Sequence, residues 1–284
     1  MYKIIKKRQL NPQVTLIEFE AKDLAMAANP GQFVILRLDE YGERFPLTIY
    51  DFNRKNGTIT VVCQAIGVST KKLCALDQGD AVLDISGPLG NAEQLKNVGR
   101  VIFIGGGVGT AEVHPVAKAM KKAGNDVTAI IGFRSKDLII CEQELKSFCD
   151  NLYITTDDGS YGRKGFVTEV LKELLEKDSY DLVFVIGPLI MMKVVSAVTK
   201  LKSIKTIVSL NSIMIDGTGM CGCCRIKYNG ESKFTCVDGP AFDGHLVDYD
   251  DVMLRQGRFK NKEEDSAKHY ESQCKLWLEP GKGR

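Results

Sequence analysis

From residue 1 to about 95, apolar residues come in short runs broken by polar ones. KIIKKRQL, VTLIEFE, QFVILRL, LTIYDF, GTITVVCQAI and AVLDISGP are rich in β-branched and aromatic side chains, with Gly, Pro, Asn and Asp between them. Short strands at even spacing predict a small antiparallel β-barrel. One helical pattern, STKKLCAL, interrupts them. At Val101 the period changes. VIFIGGGVGTAEVHPVAKAMKKAG reads as a buried strand, a Gly-rich turn and an amphipathic helix with Val113, Val116, Ala117 and Met120 on one face. DVTAIIGF supplies the next strand and completes a βαβ unit. LYITTDDG, FVTEVLKELLEKD, DLVFVIGP and IMMKVVSAVTKL continue the alternation, and TIVSLNSIMI leads into a Cys-rich loop. The fold class is thus α/β plus all-β.

Length, charge and cysteine content narrow this picture. A chain of 284 residues can hold two or three domains. A net charge of +2 makes no case for nucleic acid or an anionic membrane as partner. The longest apolar run, residues 182–192, is broken by Gly187-Pro188 and is too short to span a bilayer. Nine cysteines suggest disulfides, but the start MYKIIKKRQLNPQ reads as a strand and turn rather than a secretory signal. A reducing cytoplasm is the expectation.

Four cysteines crowd the stretch from Asp216 to Cys236, DGTGMCGCCRIKYNGESKFTC. Thiolates on a short Gly-rich loop point to a metal centre. Cys221 and Cys224 supply the C-x2-C of a plant-type [2Fe–2S] pattern, and Cys236 can supply the distal ligand. Asp216 stands where the first thiolate belongs, giving D-x4-C-x2-C-x11-C. Three readings compete: a [2Fe–2S] cluster with one carboxylate ligand, a zinc site, or buried free cysteines. Gly217, Gly219 and Gly222 favour the first, because a cluster loop turns backbone N–H groups toward bridging sulfides. Zinc usually takes two ligand pairs, and here only Cys236 and His245 stand on the distal side. Cys223 is expected to point away, or to substitute for Cys224. Cys63, Cys74, Cys141 and Cys149 read as packing, and His114 is expected on the surface or flank of its helix.

The barrel region carries three further candidates. Arg44-Phe45-Pro46-Leu47-Thr48 sets a guanidinium, suited to pyrophosphate, beside a rigid proline. Gly67-Val68-Ser69-Thr70 opens a helix, where N–H groups and hydroxyls favour phosphate. Gly87-Pro88-Leu89-Gly90-Asn91 is a turn by composition. In the α/β region, Gly105, Gly106, Gly107 and Gly109 would let a dinucleotide approach a helix N-terminus, although a tight packing turn would use the same residues. The segments 105–110, 132–134, 156–159 and 187–191 all fall at strand carboxyl ends, where parallel sheets bind ligands.

In this order the barrel motifs resemble the flavin domain of the ferredoxin reductase superfamily. The resemblance implies FAD held by Arg44, Pro46, Leu47, Thr48, Gly67, Ser69 and Thr70. Leu210 through Gly222 and Cys236 through Gly244 then resemble the small FAD/[2Fe–2S] subunits of the NADH-dependent reduced ferredoxin:NADP⁺ oxidoreductases, the electron-bifurcating transhydrogenases. That family implies Asp216, Cys221, Cys224 and Cys236 as cluster ligands. It implies NAD(H) at Gly106, Gly107, Val108, Gly109, Thr110, Arg134, Asp158, Gly187, Pro188 and Met191, although Arg134 would also suit a 2′-phosphate. It further implies a larger partner subunit with FAD and [4Fe–4S] clusters that handles NADPH and ferredoxin. The domains expected are a barrel over 1–97, a nucleotide-binding domain over 98–208, an iron–sulfur loop domain over 209–250 and a tail over 251–284. The charged tail is expected to be solvated, with Trp277 docking on the partner or packing on its own domain. Dihydroorotate dehydrogenase electron-transfer subunits share the fold but have Cys at the Asp216 position. Glu112 departs from the Gly-Val-Ala-Pro turn often found at 109–112. A zinc-stabilised nucleotide-binding regulator is the rival of another class.

Overall fold

The computed structural model describes the backbone of residues 1–277 and the side-chain surroundings of residues 1–272. The first seven strands are β1 (Tyr2–Asn11), β2 (Val14–Glu20), β3 (Phe33–Arg37), β4 (Arg44–Asn53), β5 (Thr58–Gln64), β6 (Ala81–Val82) and β7 (Asp84–Leu89). They form one antiparallel sheet in the order β6-β1-β2-β5-β4-β3-β7. Its two edges, β6 and β7, are consecutive in the chain with only Leu83 between them. The sheet therefore curls into a nearly closed barrel, and the Leu83 N–H donates to the Leu38 carbonyl at 3.0 Å. Ile4, Ile17, Phe19, Val34, Leu36 and Ile59 fill it, each fully buried. Two helices pack on the barrel: α1 (Lys22–Ala27), for which the sequence pattern gives no sign, and α2 (Val68–Ala75), which buries Leu73.

The second unit runs β8 (Arg100–Gly106), α3 (Gly109–Lys122), β9 (Asp126–Phe133), α4 (Glu142–Lys146), β10 (Asn151–Thr156), β11 (Arg163–Lys164), α5 (Val167–Lys177), β12 (Leu182–Ile186), α6 (Leu189–Leu201) and β13 (Lys205–Ser209). Its strands are parallel, in the order β11-β10-β9-β8-β12-β13. The stripe predicted for α5 is the buried one: Val167, Val170, Leu171, Leu174 and Leu175 pack with α6 residues against β8 and β12. Val113, Val116, Ala117 and Met120 of α3 cover the opposite face, against Val101, Phe103 and Phe184.

The Cys-rich segment forms a hairpin, β14 (Arg225–Tyr228) and β15 (Glu231–Phe234), followed by β16 (Ala241–Asp243). β16 adds antiparallel to β13 and extends the parallel sheet, so the loop region is stitched into the nucleotide domain. Beyond it, the charged tail is helical rather than a loose run: α7 (Tyr249–Gln256), a short 3₁₀ turn and α8 (Lys260–Trp277). The described residues of α8 are mostly exposed, and the helix reaches back to α2, where the Lys71 ammonium meets the Glu271 carboxylate at 2.7 Å. The expected contact of Trp277 lies outside the described side chains.

His114 departs from its expected surface place. It is 5% exposed and stacks on Tyr50 of β4, ring centroids 4.6 Å apart. Ala111, Ile131, Phe133 and Leu145 meet Val14, Leu16, Tyr50 and Val62 at this same barrel–α/β junction. No described helix is long and apolar enough to cross a membrane.

Candidate cofactor sites

At the carboxyl edge of the parallel sheet the chain passes from β8 into α3 through a turn that only small residues allow. Gly107 has φ 56° and its N–H donates to the Gly132 carbonyl at 2.9 Å. A Cβ on Gly109 would lie 2.6 Å from the Ile186 carbonyl oxygen, so α3 starts in direct backbone contact with the end of β12. A Cβ on Gly106 would meet the Met191 sulfur at 2.7 Å and Pro188 at 2.9 Å. Thus Gly106, Gly107, Val108, Gly109, Gly187, Pro188 and Met191 gather in one place. Thr110 is fully buried and its hydroxyl has no hydrogen-bond partner among the described residues.

Arg134 lies exposed at the end of β9, and its carbonyl accepts from the Asp158 N–H at 3.2 Å. The Ser160 hydroxyl, with the Ser160 N–H, holds the Asp158 carboxyl below its usual range. Arg134 and Asp158 are thus joined through the backbone at the carboxyl ends of β9 and β10. Glu112, one turn into α3, is half-buried and faces the Thr48 hydroxyl of β4 across the domain junction. Burial pushes its carboxyl up to about 7, against the hydroxyl, which lowers it.

The flavin candidates lie on β4 and at the start of α2. Arg44, Pro46, Leu47 and Thr48 pair with Arg37, Ile35, Val34 and Phe33 of β3. The Arg44 guanidinium stands 3.8 Å from Asp84. Gly67 precedes α2, and the Ser69 hydroxyl donates to the Glu43 carboxylate at 2.8 Å, so a phosphate here would have to displace Glu43 from this donor. Thr70 differs from its neighbour: its hydroxyl accepts from the Gly67 N–H at 3.0 Å and donates to the Gly67 carbonyl, and so shapes the turn from within.

Around the cysteines, the Cys224 and Cys236 thiols are 3.2 Å apart and each residue is 1% exposed. Phe33 and Ile35 of the barrel, with Met214, cover them. Asp216 accepts from the Thr218 N–H at 2.9 Å and the Cys221 N–H at 2.7 Å. Cys221 stands at the exposed rim, and Gly217, Gly219 and Gly222 all have positive φ. Cys223 lines a small pocket with Ser212, Arg225 and Arg255, and burial, with Cys221 and Cys224 nearby, raises its thiol above its usual range. Among the described residues no group of three or more His, Cys, Asp or Glu side chains is already gathered to hold a metal ion. Still, two buried facing thiols, a third on the same loop and a carboxylate bonded to that loop's N–H groups form a donor set that fits an iron–sulfur cluster.

Barrel, parallel sheet and cysteine loop together define a flavin- and nicotinamide-dependent oxidoreductase of ferredoxin-reductase fold that also carries an iron–sulfur domain. Residues 103–197 match the oxidoreductase NAD-binding domain, and residues 211–248 match the iron–sulfur cluster binding domain of dihydroorotate dehydrogenase B. A Thermotoga maritima homologue of the dihydroorotate dehydrogenase B electron-transfer subunit is 41% identical over 94% of both chains. A Clostridium beijerinckii protein described as an uncharacterized protein in the adh 3′ region is 50% identical over 93% of this chain and 92% of its own. The structure of an NADH-dependent reduced ferredoxin-NADP oxidoreductase, solved for insight into flavin-based electron bifurcation, superposes with TM-score 0.90 at 40% identity, over 95% of this chain and 98% of that one. Phthalate dioxygenase reductase shares the fold at 17% identity and TM-score 0.54, over 70% of this chain and 63% of that one. The chain belongs to the family of dihydroorotate dehydrogenase B electron-transfer subunits and their homologues, and within it groups with the small subunit of the NADH-dependent reduced ferredoxin:NADP⁺ oxidoreductases. Its cofactors are accordingly FAD, NAD(H) and an iron–sulfur cluster.

Proposed function

We propose that this chain exchanges electrons with NAD(H) and passes them through FAD and a [2Fe–2S] cluster to or from a larger partner subunit, within an NADH-dependent reduced ferredoxin:NADP⁺ oxidoreductase. The carrying observation is the loop in which Asp216 takes the first ligand position before Cys221, Cys224 and Cys236. A bound flavin supplies the exchange between two-electron hydride and one-electron cluster chemistry. The chain's own residues position the three groups. Ser69, Gly67 and the turn-shaping Thr70 offer the start of α2 to the FAD pyrophosphate, and Arg44 to Thr48 of β4 line its ring. The turn 106–110, closed by Pro188 and Met191, receives the nicotinamide end. NAD(H) is taken as the nucleotide from the likeness to the NADH-dependent reduced ferredoxin-NADP oxidoreductase. In the partner we place a second FAD and [4Fe–4S] clusters that handle NADPH and ferredoxin.

Metal, sulfide and flavin analysis of the anaerobically purified chain, with EPR after dithionite, tests the reading. About two irons, labile sulfide, one FAD and a rhombic S = 1/2 signal are expected for a [2Fe–2S] flavoprotein. Zinc without flavin would overturn it. Reduction of the purified complex by dihydroorotate would instead assign the chain to a dihydroorotate dehydrogenase.

A further inference from the structure

Cys63 and Cys74 face each other in the barrel, outside the cluster loop. Cys63, at the end of β5, is fully buried; its thiol lies 4.0 Å from the Thr70 carbonyl and 3.9 Å from the Gln64 carbonyl. Cys74, in the last turn of α2, is half-buried and aims its thiol at the Cys63 carbonyl at 3.7 Å. The two thiols are close enough for each to shift the ionisation of the other. Around Cys74 the surroundings are polar. The Lys7 ammonium, fixed to the Leu76 carbonyl at 2.6 Å, adds positive charge. Cys63 beside it, with Lys7, draws the Cys74 thiol below its usual range. The same contact, with burial, pushes Cys63 up. A half-buried thiol near a lysine ammonium, backed by a fully buried one, is the arrangement of an attacking thiol and its resolving partner.

We propose that Cys63 and Cys74 are a redox-active dithiol that small-molecule disulfides convert to an intramolecular disulfide, and that this oxidation loosens the chain's hold on FAD. The Cys74 thiolate attacks one sulfur of the small disulfide, whose S–S bond breaks and releases one thiol. The Cys63 sulfur then attacks Cys74 in the mixed disulfide, gives up its proton, and releases the second thiol. Two protein thiols lose two electrons, and one small disulfide becomes two small thiols. The link to FAD comes from what lies between the cysteines: Gly67, Ser69 and Thr70 stand inside the ring that the new bond would close. A disulfide requires the sulfurs about 2.05 Å apart, so Cys63 gives up its contact with the Thr70 carbonyl in the first turn of α2 as Cys74 is drawn to it. This second half rests on the reading of α2 as the pyrophosphate seat.

The test uses the FAD-loaded chain as purified anaerobically with its partner. It is equilibrated in mixtures of reduced and oxidised glutathione, alkylated and digested. Trypsin cuts at Lys71 and Lys72, so the cysteines fall on separate peptides. A peptide pair joined through Cys63 and Cys74 is expected, while Cys63→Ala stops at glutathione on Cys74. FAD release from the oxidised protein is expected to be about tenfold faster, with no such change in Cys74→Ala. Failure of the joined pair to form at any glutathione ratio, with both cysteines still alkylated, overturns the proposal. If the pair forms and FAD release is unchanged, the coupling is overturned. Ser69→Ala separates that result from a failed reading of the seat, since it weakens FAD retention only if α2 holds the pyrophosphate.

Discussion

Gly109→Ala adds one methyl group at the point where α3 touches β12. That carbon would stand 2.6 Å from the Ile186 oxygen, 2.9 Å from the Ile186 carbonyl carbon and 3.1 Å from the Gly187 Cα. All three are backbone atoms, and Ile186 is paired with Gly105 in the sheet, so none can swing aside. Restoring an ordinary contact of about 3.5 Å requires the start of α3 to retreat by roughly 0.5–1 Å. Overpacking of this kind costs about 1–3 kcal/mol, while replacing Gly by Ala in a helix returns up to about 1 kcal/mol. The net destabilisation expected is about 1–2 kcal/mol. Binding should suffer more than stability, because the retreating N–H groups are those of the proposed nucleotide seat. NADH affinity, measured anaerobically by calorimetry beside a urea unfolding curve, should fall about tenfold or more. Gly107→Asn is the control: φ is positive there, no atom lies within 4 Å of an added Cβ, and Asn tolerates that conformation. Gly109→Ala with NADH affinity within about twofold of wild type and an unmoved unfolding midpoint would refute the close-approach argument.

Replacing Asp216 by Cys should leave a cluster visible by EPR and shift its midpoint potential by something on the order of 50 mV; an unmoved potential would show that the carboxylate is not a ligand. Burial, with Lys118 adding repulsion, pulls the His114 imidazole down to about 4. The unfolded chain then takes up a proton that the folded one refuses. Stability is full above the ordinary histidine value of about 6.5 and falls toward pH 4 by up to about 3 kcal/mol. His114→Phe should flatten that slope in urea unfolding series run across this range, and an identical slope would count against the buried neutral ring. Thr70→Val removes the hydroxyl that accepts from Gly67; it should cost about 1 kcal/mol and raise FAD loss on gel filtration, whereas unaltered retention would separate the turn from the flavin.

Period and punctuation made most of this architecture readable. The α5 stripe, the alternating barrel strands and the Gly-rich turn after β8 carry their geometry in residue spacing, because each is settled by neighbours a few positions away. What escaped depends on distant partners. α1 is six residues long and is ordered by burying Leu24 and Ala25 in the barrel core, which no local pattern reveals. β16 is three residues that become a strand only because β13 offers an open edge. His114 lies on the apolar side of α3 because Tyr50, sixty-four positions earlier, supplies a ring to stack on. In the candidate sites, residue types pointed to thiolate and phosphate chemistry. The inward-facing Thr70 hydroxyl and the approach of Glu112 to Thr48 became visible only once the domains were side by side.

Cys224 and Cys236 sit under Phe33 and Ile35, which belong to a different part of the chain. On the proposed ligand set, this cover implies an order of events in biogenesis. Iron and sulfide would reach these thiols before the barrel settles against the loop, or the two would part again to admit them. A cluster held there would then be shielded from chelators and oxidants by a neighbouring domain rather than by its own short loop. Maturation and repair therefore depend on how readily that junction opens, and substitutions at Phe33 or Ile35 should act on cluster lifetime without touching a ligand.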